Sequence, residues 1–180
     1  MIVFIIVLAL VILGGVLLYN NLVSLKNRVG EAFATMDAYL LKRHDLIPNL
    51  VETVKGYASH EKETLEGVIE ARSRAMSAST VEEKSQAENM ISGALKNLFA
   101  LSEAYPDLKA NQNFLALQGD LTKVEEDILN ARKYYNAVVR TYNTSIQKFP
   151  AVLVASMMGF YDKAMFEAAE EERENVKVQF

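Results

Sequence analysis

The chain changes its hydrophobic pattern once, near residue 21. From Met1 to Leu18 no side chain is polar, and the first charged one is Lys26. At 1.5 Å per residue a helix over Met1–Tyr19 is roughly 28 Å long, about the hydrocarbon thickness of a bilayer. Such a run is hydrophobic on every face, which a helix on the surface of a small domain is not. A cleaved signal peptide would need a positive stretch before the run and a small-residue cleavage site after it, and neither stands here. The pattern predicts one transmembrane helix over residues 1–21, with Ile2, Phe4, Leu10 and Leu17 in lipid and Tyr19 at headgroup level.

From Leu22 onward the apolar residues keep a three-four spacing. The first stripe runs Leu22, Leu25, Val29, Ala32, Met36, Tyr39, Arg43, Leu46, the mark of a helix packed along one coiled-coil-like seam. No strong breaker separates it from the apolar run, so one helix is expected to pass from the bilayer into the body. Pro48 cannot donate to the carbonyl of His44. There the helix either kinks or ends, with Asp45 as the cap of a restart. A second stripe follows to about Ser79 through Leu50, Val54, Tyr57, Leu65, Val68, Ile69 and Met76. Thr80-Val81-Glu82-Glu83 reads as a capping box. The third helix carries Ala87, Ile91, Ala94, Leu98, Leu101 and Tyr105, and Pro106-Asp107 stops it.

The fourth stripe is the clearest. Phe114, Leu117, Leu121, Val124, Ile128, Ala131, Tyr135, Val138, Tyr142, Ser145 and Phe149 keep the spacing, and Phe149-Pro150 closes it. Leu121, Val124, Ile128, Tyr135, Val138 and Tyr142 form its expected seam. Four stripes joined by short links hide their apolar faces only against one another. The prediction is an all-α protein: an N-terminal transmembrane helix, then an antiparallel four-helix, up-and-down bundle of long helices over residues 22–150. Residues 151–180 differ in kind. Ala151–Phe160 is apolar and Met-rich, suited to the bundle or the membrane surface. The acidic stretch Glu167–Glu174 leads to an alternating Val-Lys-Val-Gln-Phe end, read as a frayed tail or a strand-addition ligand.

Charge narrows the partners. The net charge is −4, cations and anions balance through the body, and the acidic excess lies after residue 150. No basic field offers itself to nucleic acid. The chain has no cysteine, so disulfides, thiolate nucleophiles and zinc–thiolate sites are not available to it. Lys26, Arg28, Lys42 and Arg43 follow the apolar run, and the positive-inside bias then places the body in the cytoplasm and Met1 outside.

Candidate chemistry is sparse. Neither His44 nor His60 has a Glu three residues before it, so the Glu-x-x-His pairs of di-iron bundles are missing, and His60-Glu61 does not continue to H-E-x-x-H. No cofactor or metal is expected, and no catalytic residue. Arg43 falls on the first seam, where an unpaired guanidinium is costly. It calls for a carboxylate or carbonyl partner, for instance from the fourth helix, or it snorkels to water past a seam broken at Pro48. Arg43, His44, Asp45, Pro48 and Asn49 form the candidate polar cluster, with ligand or metal binding beside Pro48 as the weakest functional option. Tyr135-Asn136 and Tyr142-Asn143 repeat one heptad apart near Arg132, as a polar ladder in the bundle or a wet helix edge.

The stretches YNNLVSLKNRVGEAFATMD (Tyr19–Asp37), LKRHDLIPNLVETVKGYASHE (Leu41–Glu61), LFALSEAYPDLKANQNFLALQ (Leu98–Gln118) and ARKYYNAVVRTYNTSIQKFP (Ala131–Pro150) carry a family resemblance. So do Gly159-Phe160 and Phe166–Ala168. Over nearly its whole length the chain resembles the LemA family, departing at Phe33, where members often carry Trp. The resemblance implies a bacterial protein with one span and a cytoplasmic helical bundle, an unassigned biochemical activity, and for some members association with membrane-bound zinc proteases of the envelope-stress type. Together these readings point to a non-enzymatic, single-pass scaffold of the bacterial cytoplasmic membrane that forms homo-oligomers. The alternative is an adaptor or regulator of a membrane metalloprotease.

Overall fold

The computed structural model describes residues 1–167. Among them five α-helices and a short 3-10 turn are present and no strand: α1 Ile2–Lys55, α2 Lys62–Ser77, α3 Val81–Ser102, α4 Pro106–Lys109, α5 Gln112–Gln147, then the turn Ala151–Leu153. The expected all-α architecture with a long apolar N-terminal helix is what the chain adopts. The apolar run and the first stripe share one helix, and α1 continues through Pro48 without ending. Of the two alternatives at Pro48, a kink or an end, the helix does not end there; it stops at residues 56–61, where Gly56 lowers helix propensity. The second stripe is thus shared between α1 and α2. At its far end Ile69 and Met76 are exposed. Thr80 caps α3 as the capping box requires. Its Oγ1 accepts the Glu83 amide at 3.1 Å and the Glu83 carboxylate accepts the Thr80 amide at 3.2 Å. The amide of Ser79 also donates to that carboxylate, and these bonds hold the Glu83 carboxyl below the usual carboxylate range.

The chain divides into two compact units. The first comprises Met1–Thr35 and Lys133–Met165. Its interior holds Leu22, Val29, Ala32, Tyr135, Val139, Tyr142, Ile146, Ala151, Ala155 and Phe160. Phe33 meets Tyr135 edge-on at 5.7 Å, and Phe160 meets Tyr19 at 5.6 Å. An extended segment lies along α5 and is held by its polar side chains. Tyr142 donates its hydroxyl to the Tyr161 carbonyl at 3.0 Å, and Tyr135 to that of Ala164 at 2.9 Å. Asn143 exchanges two bonds with the backbone of Lys163, each 2.9 Å. The residues read as a ladder or a wet edge therefore strap residues 160–165 in place. Burial raises the Tyr142 hydroxyl's pKa first, and the nearby Asp162 adds to it.

The second unit runs from Met36 to Arg132 and takes in residues 166–167. Its core gathers Ile47, Leu50 and Val54 of α1, Leu65 and Val68 of α2, Ile91, Leu95 and Leu98 of α3, Leu108 of α4, and Phe114 and Leu121 of α5. Bonds between elements give the directions. Arg72 of α2 reaches His44 of α1, while Tyr105 beyond α3 reaches Glu61 before α2, so neighbours alternate in direction. Arg43 pairs with Glu125 and Tyr57 with Asn111, which sets α5 antiparallel to α1.

In both long helices the buried stripe departs from the heptad. On α1 it runs Met36, Leu40, Arg43, Ile47, Leu50, Val54, leaving Tyr39 and Leu46 half-buried. On α5 it runs Ile128, Ala131, Tyr135, Val139, Tyr142, Ile146, leaving Val138 and Ser145 half-buried and Phe149 exposed. On each helix the shift enters as two successive four-residue steps, Ala32–Met36–Leu40 on α1 and Ala131–Tyr135–Val139 on α5, after which the buried stripe again alternates three and four.

Candidate functional site

One charged centre draws on all four long helices of the second unit, and it begins with a defect in α1. Pro48 has no amide to offer the carbonyl four residues earlier. That carbonyl belongs to His44, and the Arg72 Nε of α2 donates to it at 2.8 Å. A guanidinium from a neighbouring helix thus stands in for the missing backbone donor, and α1 runs on.

The side chains at that level point inward. Arg43 is wholly buried. Its Nη2 donates to the Glu88 carboxylate of α3 and to the Glu88 carbonyl at 3.2 Å. Its Nη1 donates to Ser92 Oγ at 3.0 Å and to Glu125 Oε1 of α5 at 2.7 Å. His44 Nε2 lies 2.9 Å from the second oxygen of Glu88. Glu88 is itself buried, and its single carboxylate meets two side chains of one helix, Arg43 and His44. Burial is the largest influence on this carboxyl and pushes its pKa up. The His44 hydrogen bond and the Arg43 charge together outweigh it, and Glu88 is held below the usual carboxylate range. An ionised Glu88 accepts at both oxygens, so His44 Nε2 carries the proton. Among the described residues Arg43 Nε and His44 Nδ1 have no hydrogen-bond partner.

Glu125 is 39% exposed and forms the outer end of the centre. It lines a surface cavity of about 280 Å³ together with Ser92, Thr122, Glu126, Leu129 and Arg132. Below this level Lys84 pairs with Asp37, again α3 with α1. Arg132 lays its guanidinium over the Phe166 ring at 5.0 Å, and Ser85 donates to the Glu167 carbonyl at 2.9 Å.

The carboxylate expected for Arg43 is thus there twice, one of them on the fourth long helix. Of the five residues in the candidate cluster, the structure brings Arg43 and His44 together. Asp45, Pro48 and Asn49 are exposed, while Arg43 and His44 are buried. Among the described residues no three His, Asp or Glu side chains converge to hold a metal ion. Leu121, Val124, Ile128, Tyr135 and Tyr142 are buried. Ile2, Phe4, Leu10, Leu17 and Tyr19 are exposed. Sequence reasoning missed Glu88, Glu125 and Arg72. For Glu88 a signal existed: the stripe Ser85, Glu88, Ile91, Leu95, Leu98, Ser102 passes through it at helical spacing.

A helical protein with one long apolar helix and a charged centre shared by four packed helices is the class these features define. The chain belongs to the LemA family, whose profile matches residues 32–180. The match begins after the apolar run and takes in every residue of the charged centre. A protein LemA of Metamycoplasma hominis is 31% identical over 162 residues, covering 87% of this chain and 72% of that relative. Magnetosome proteins are also similar. MamQ 2 of Paramagnetospirillum magneticum is 23% identical and MamQ of Magnetospirillum gryphiswaldense 24%, each over 168 residues, 79% of this chain and 62% of the relative. The chain therefore spans less than two thirds of the length of these magnetosome relatives.

Proposed function

We propose that this chain is a membrane-anchored, non-enzymatic helical scaffold that associates with copies of itself. The observation that carries the reading is the exposed apolar stretch of α1. An 18-residue window there has a mean hydropathy of 3.1 and none of it is buried against the protein. Water is a poor solvent for such a surface, and a bilayer is a good one. The same helix continues into the packed body, so the anchor and the charged centre share one element. Lys26 and Arg28 follow the stretch and favour a cytoplasmic body by the positive-inside bias. Self-association follows from continuity: an apolar span that leads without a break into a packed stripe can pair with its copies in the membrane and above it. The names of the LemA and MamQ relatives denote no enzyme, in keeping with a structural role.

Crosslinking in native membranes, followed by mass measurement of the detergent-solubilised chain, tests this. Self-crosslinks and a mass above one chain are expected. A strictly monomeric particle overturns the scaffold. A membrane metalloprotease recovered in stoichiometric amount would move the chain to the adaptor role that the resemblance allows. Digestion of the body by protease added to intact cells would overturn its cytoplasmic placement.

A further inference from the structure

Just beyond α5, within the first unit, the chain exposes large apolar side chains that the helical packing does not use. Between residues 149 and 161 the buried positions are Ala151, Ala155 and Phe160. Phe149, Val152, Leu153, Met157, Met158 and Tyr161 face outward, with Met157 84% and Phe149 79% exposed. One face of this short segment is thus fixed to the unit and the other is apolar and uncovered. Exposed apolar patches on a soluble surface are unusual and mark contact with something.

Register says what that something is. Phe33 on α1 meets Tyr135 on α5, and Phe160 beyond the end of α5 meets Tyr19, so the two helices run antiparallel in this unit. Each residue past Tyr135 lies level with one before Phe33. Phe149, about 14 residues past, comes level with Tyr19, about 14 before, some ~21 Å along the axis from the Phe33–Tyr135 pair. Tyr19 is the first polar side chain after the apolar run. The uncovered face therefore sits at the height where α1 leaves the lipid, and it continues the apolar surface of α1 sideways. Charge agrees. Lys26, Arg28, Lys148 and Lys163 are exposed around the same level, and Lys26 Nζ stands 5.9 Å from the Phe160 ring centre. Residues 149–161 contain no acidic side chain, and Asp162 just after them accepts from Gln147.

We infer that residues 149–161 form a second membrane contact, lying in the headgroup layer of the leaflet through which α1 exits and favouring anionic lipids. The inference rests on α1 spanning the bilayer. The tyrosine and asparagine strap fixes the height of this contact, because Tyr142 and Asn143 hold Tyr161 at its end and Lys163 just beyond against α5. Two contacts on one surface set the tilt and rotation of the body, which a single span leaves free.

The chain has no cysteine, so single labels are simple to place. An environment-sensitive fluorophore is attached to Leu153→Cys or Met157→Cys, to Leu10→Cys in the apolar run, and to Gln86→Cys on the exposed face of α3. The full chain is reconstituted in phosphatidylethanolamine–phosphatidylglycerol vesicles containing lipids with a nitroxide near the headgroup or near the chain end. The 153 and 157 labels are expected to be blue-shifted and quenched by the shallow nitroxide, the label at 10 by the deep one, and that at 86 by neither. In all-phosphatidylcholine vesicles the 153 and 157 signals fall while that at 10 is kept. Quenching at 10 with none at 153 or 157 overturns the inference and leaves the span standing. No quenching at 10 overturns the span itself, and the second contact with it.

Discussion

Two stretches of the same helix make opposite use of the same chemistry. In α1 Phe4 is 72% exposed and Arg43 0%. Ranked by hydropathy alone their places would be exchanged. The first stretch presents an apolar surface that the described residues leave uncovered, the kind of surface a bilayer accepts. The second stretch buries a charge because Glu88, Ser92 and Glu125 surround it with acceptors from other helices. Burial along α1 is therefore decided by what lies opposite each residue, and a residue's own transfer free energy is the smaller part of the account.

Removing the partner gives the largest expected effect. Glu88→Ala leaves a buried guanidinium with Glu125, Ser92 and the residue-88 carbonyl and strands the His44 ring, at a cost of about 3–5 kcal/mol. Chemical denaturation of the solubilised chain should show a lower midpoint at unchanged slope. Replacing both members, Arg43→Met with Glu88→Met, should recover most of the loss, since an apolar pair of similar volume pays no desolvation penalty. A double variant as unstable as the single would mean that the ionic pair is needed for packing and not merely tolerated. Acid tests the same contact. The folded Glu88 carboxyl sits below its ordinary range, so its contribution is complete above the unfolded value of about 4.3 and is lost as pH falls from there through the lower folded value. In Glu88→Gln that part of the acid-side loss should disappear from a stability–pH profile.

The converse change belongs in the other stretch. Leu10→Arg puts a guanidinium where no acceptor lies opposite, at a cost to insertion of about 2.5–3.5 kcal/mol. The share of protein resisting alkaline extraction from membranes should fall, while the thermal transition of the helical body stays where it was. An unchanged extraction profile would show that this stretch is not in lipid.

How much of this was legible beforehand differs between the stretches in the same way. The apolar run, the four stripes and the Thr80 capping box were readable because each is a local pattern. Arg43's need for a carboxylate was readable too, since a charge on a seam is a local anomaly. The identity of Glu88 was not, because a carboxylate on the third stripe looks like an interruption until the helix opposite is known. The heptad on α1 and α5 slipped at Tyr39 and Val138, where Leu40 and Val139 take the interior. Both adjacent residues are apolar at these points on α5, and small drifts of about 20° per heptad decide between them. The strap was hidden for a different reason. Tyr135, Tyr142 and Asn143 bond to backbone atoms of residues 161–164, and backbone carbonyls leave no mark in a sequence. The strand-addition reading of residues 176–180 lies outside the described residues.

The smallest effect concerns how α1 survives Pro48 at all, which is what lets the two stretches share one helix. If Arg72 Nε stands in for the missing amide, Arg72→Ala should cost about 1–2 kcal/mol, as expected for a charge-assisted bond to a partly buried carbonyl. Pro48→Ala returns an amide to position 48, so His44 regains its ordinary helical donor. In that background Arg72→Ala should cost far less, and the coupling between the two changes in a double-mutant cycle should account for most of the single effect. Equal costs in both backgrounds would mean that Arg72 contributes through its packed stem alone and that α1 tolerates an unpaired carbonyl at His44. A large coupling would show that a residue some 24 positions downstream of Pro48 completes the hydrogen bonding of the helix that carries it.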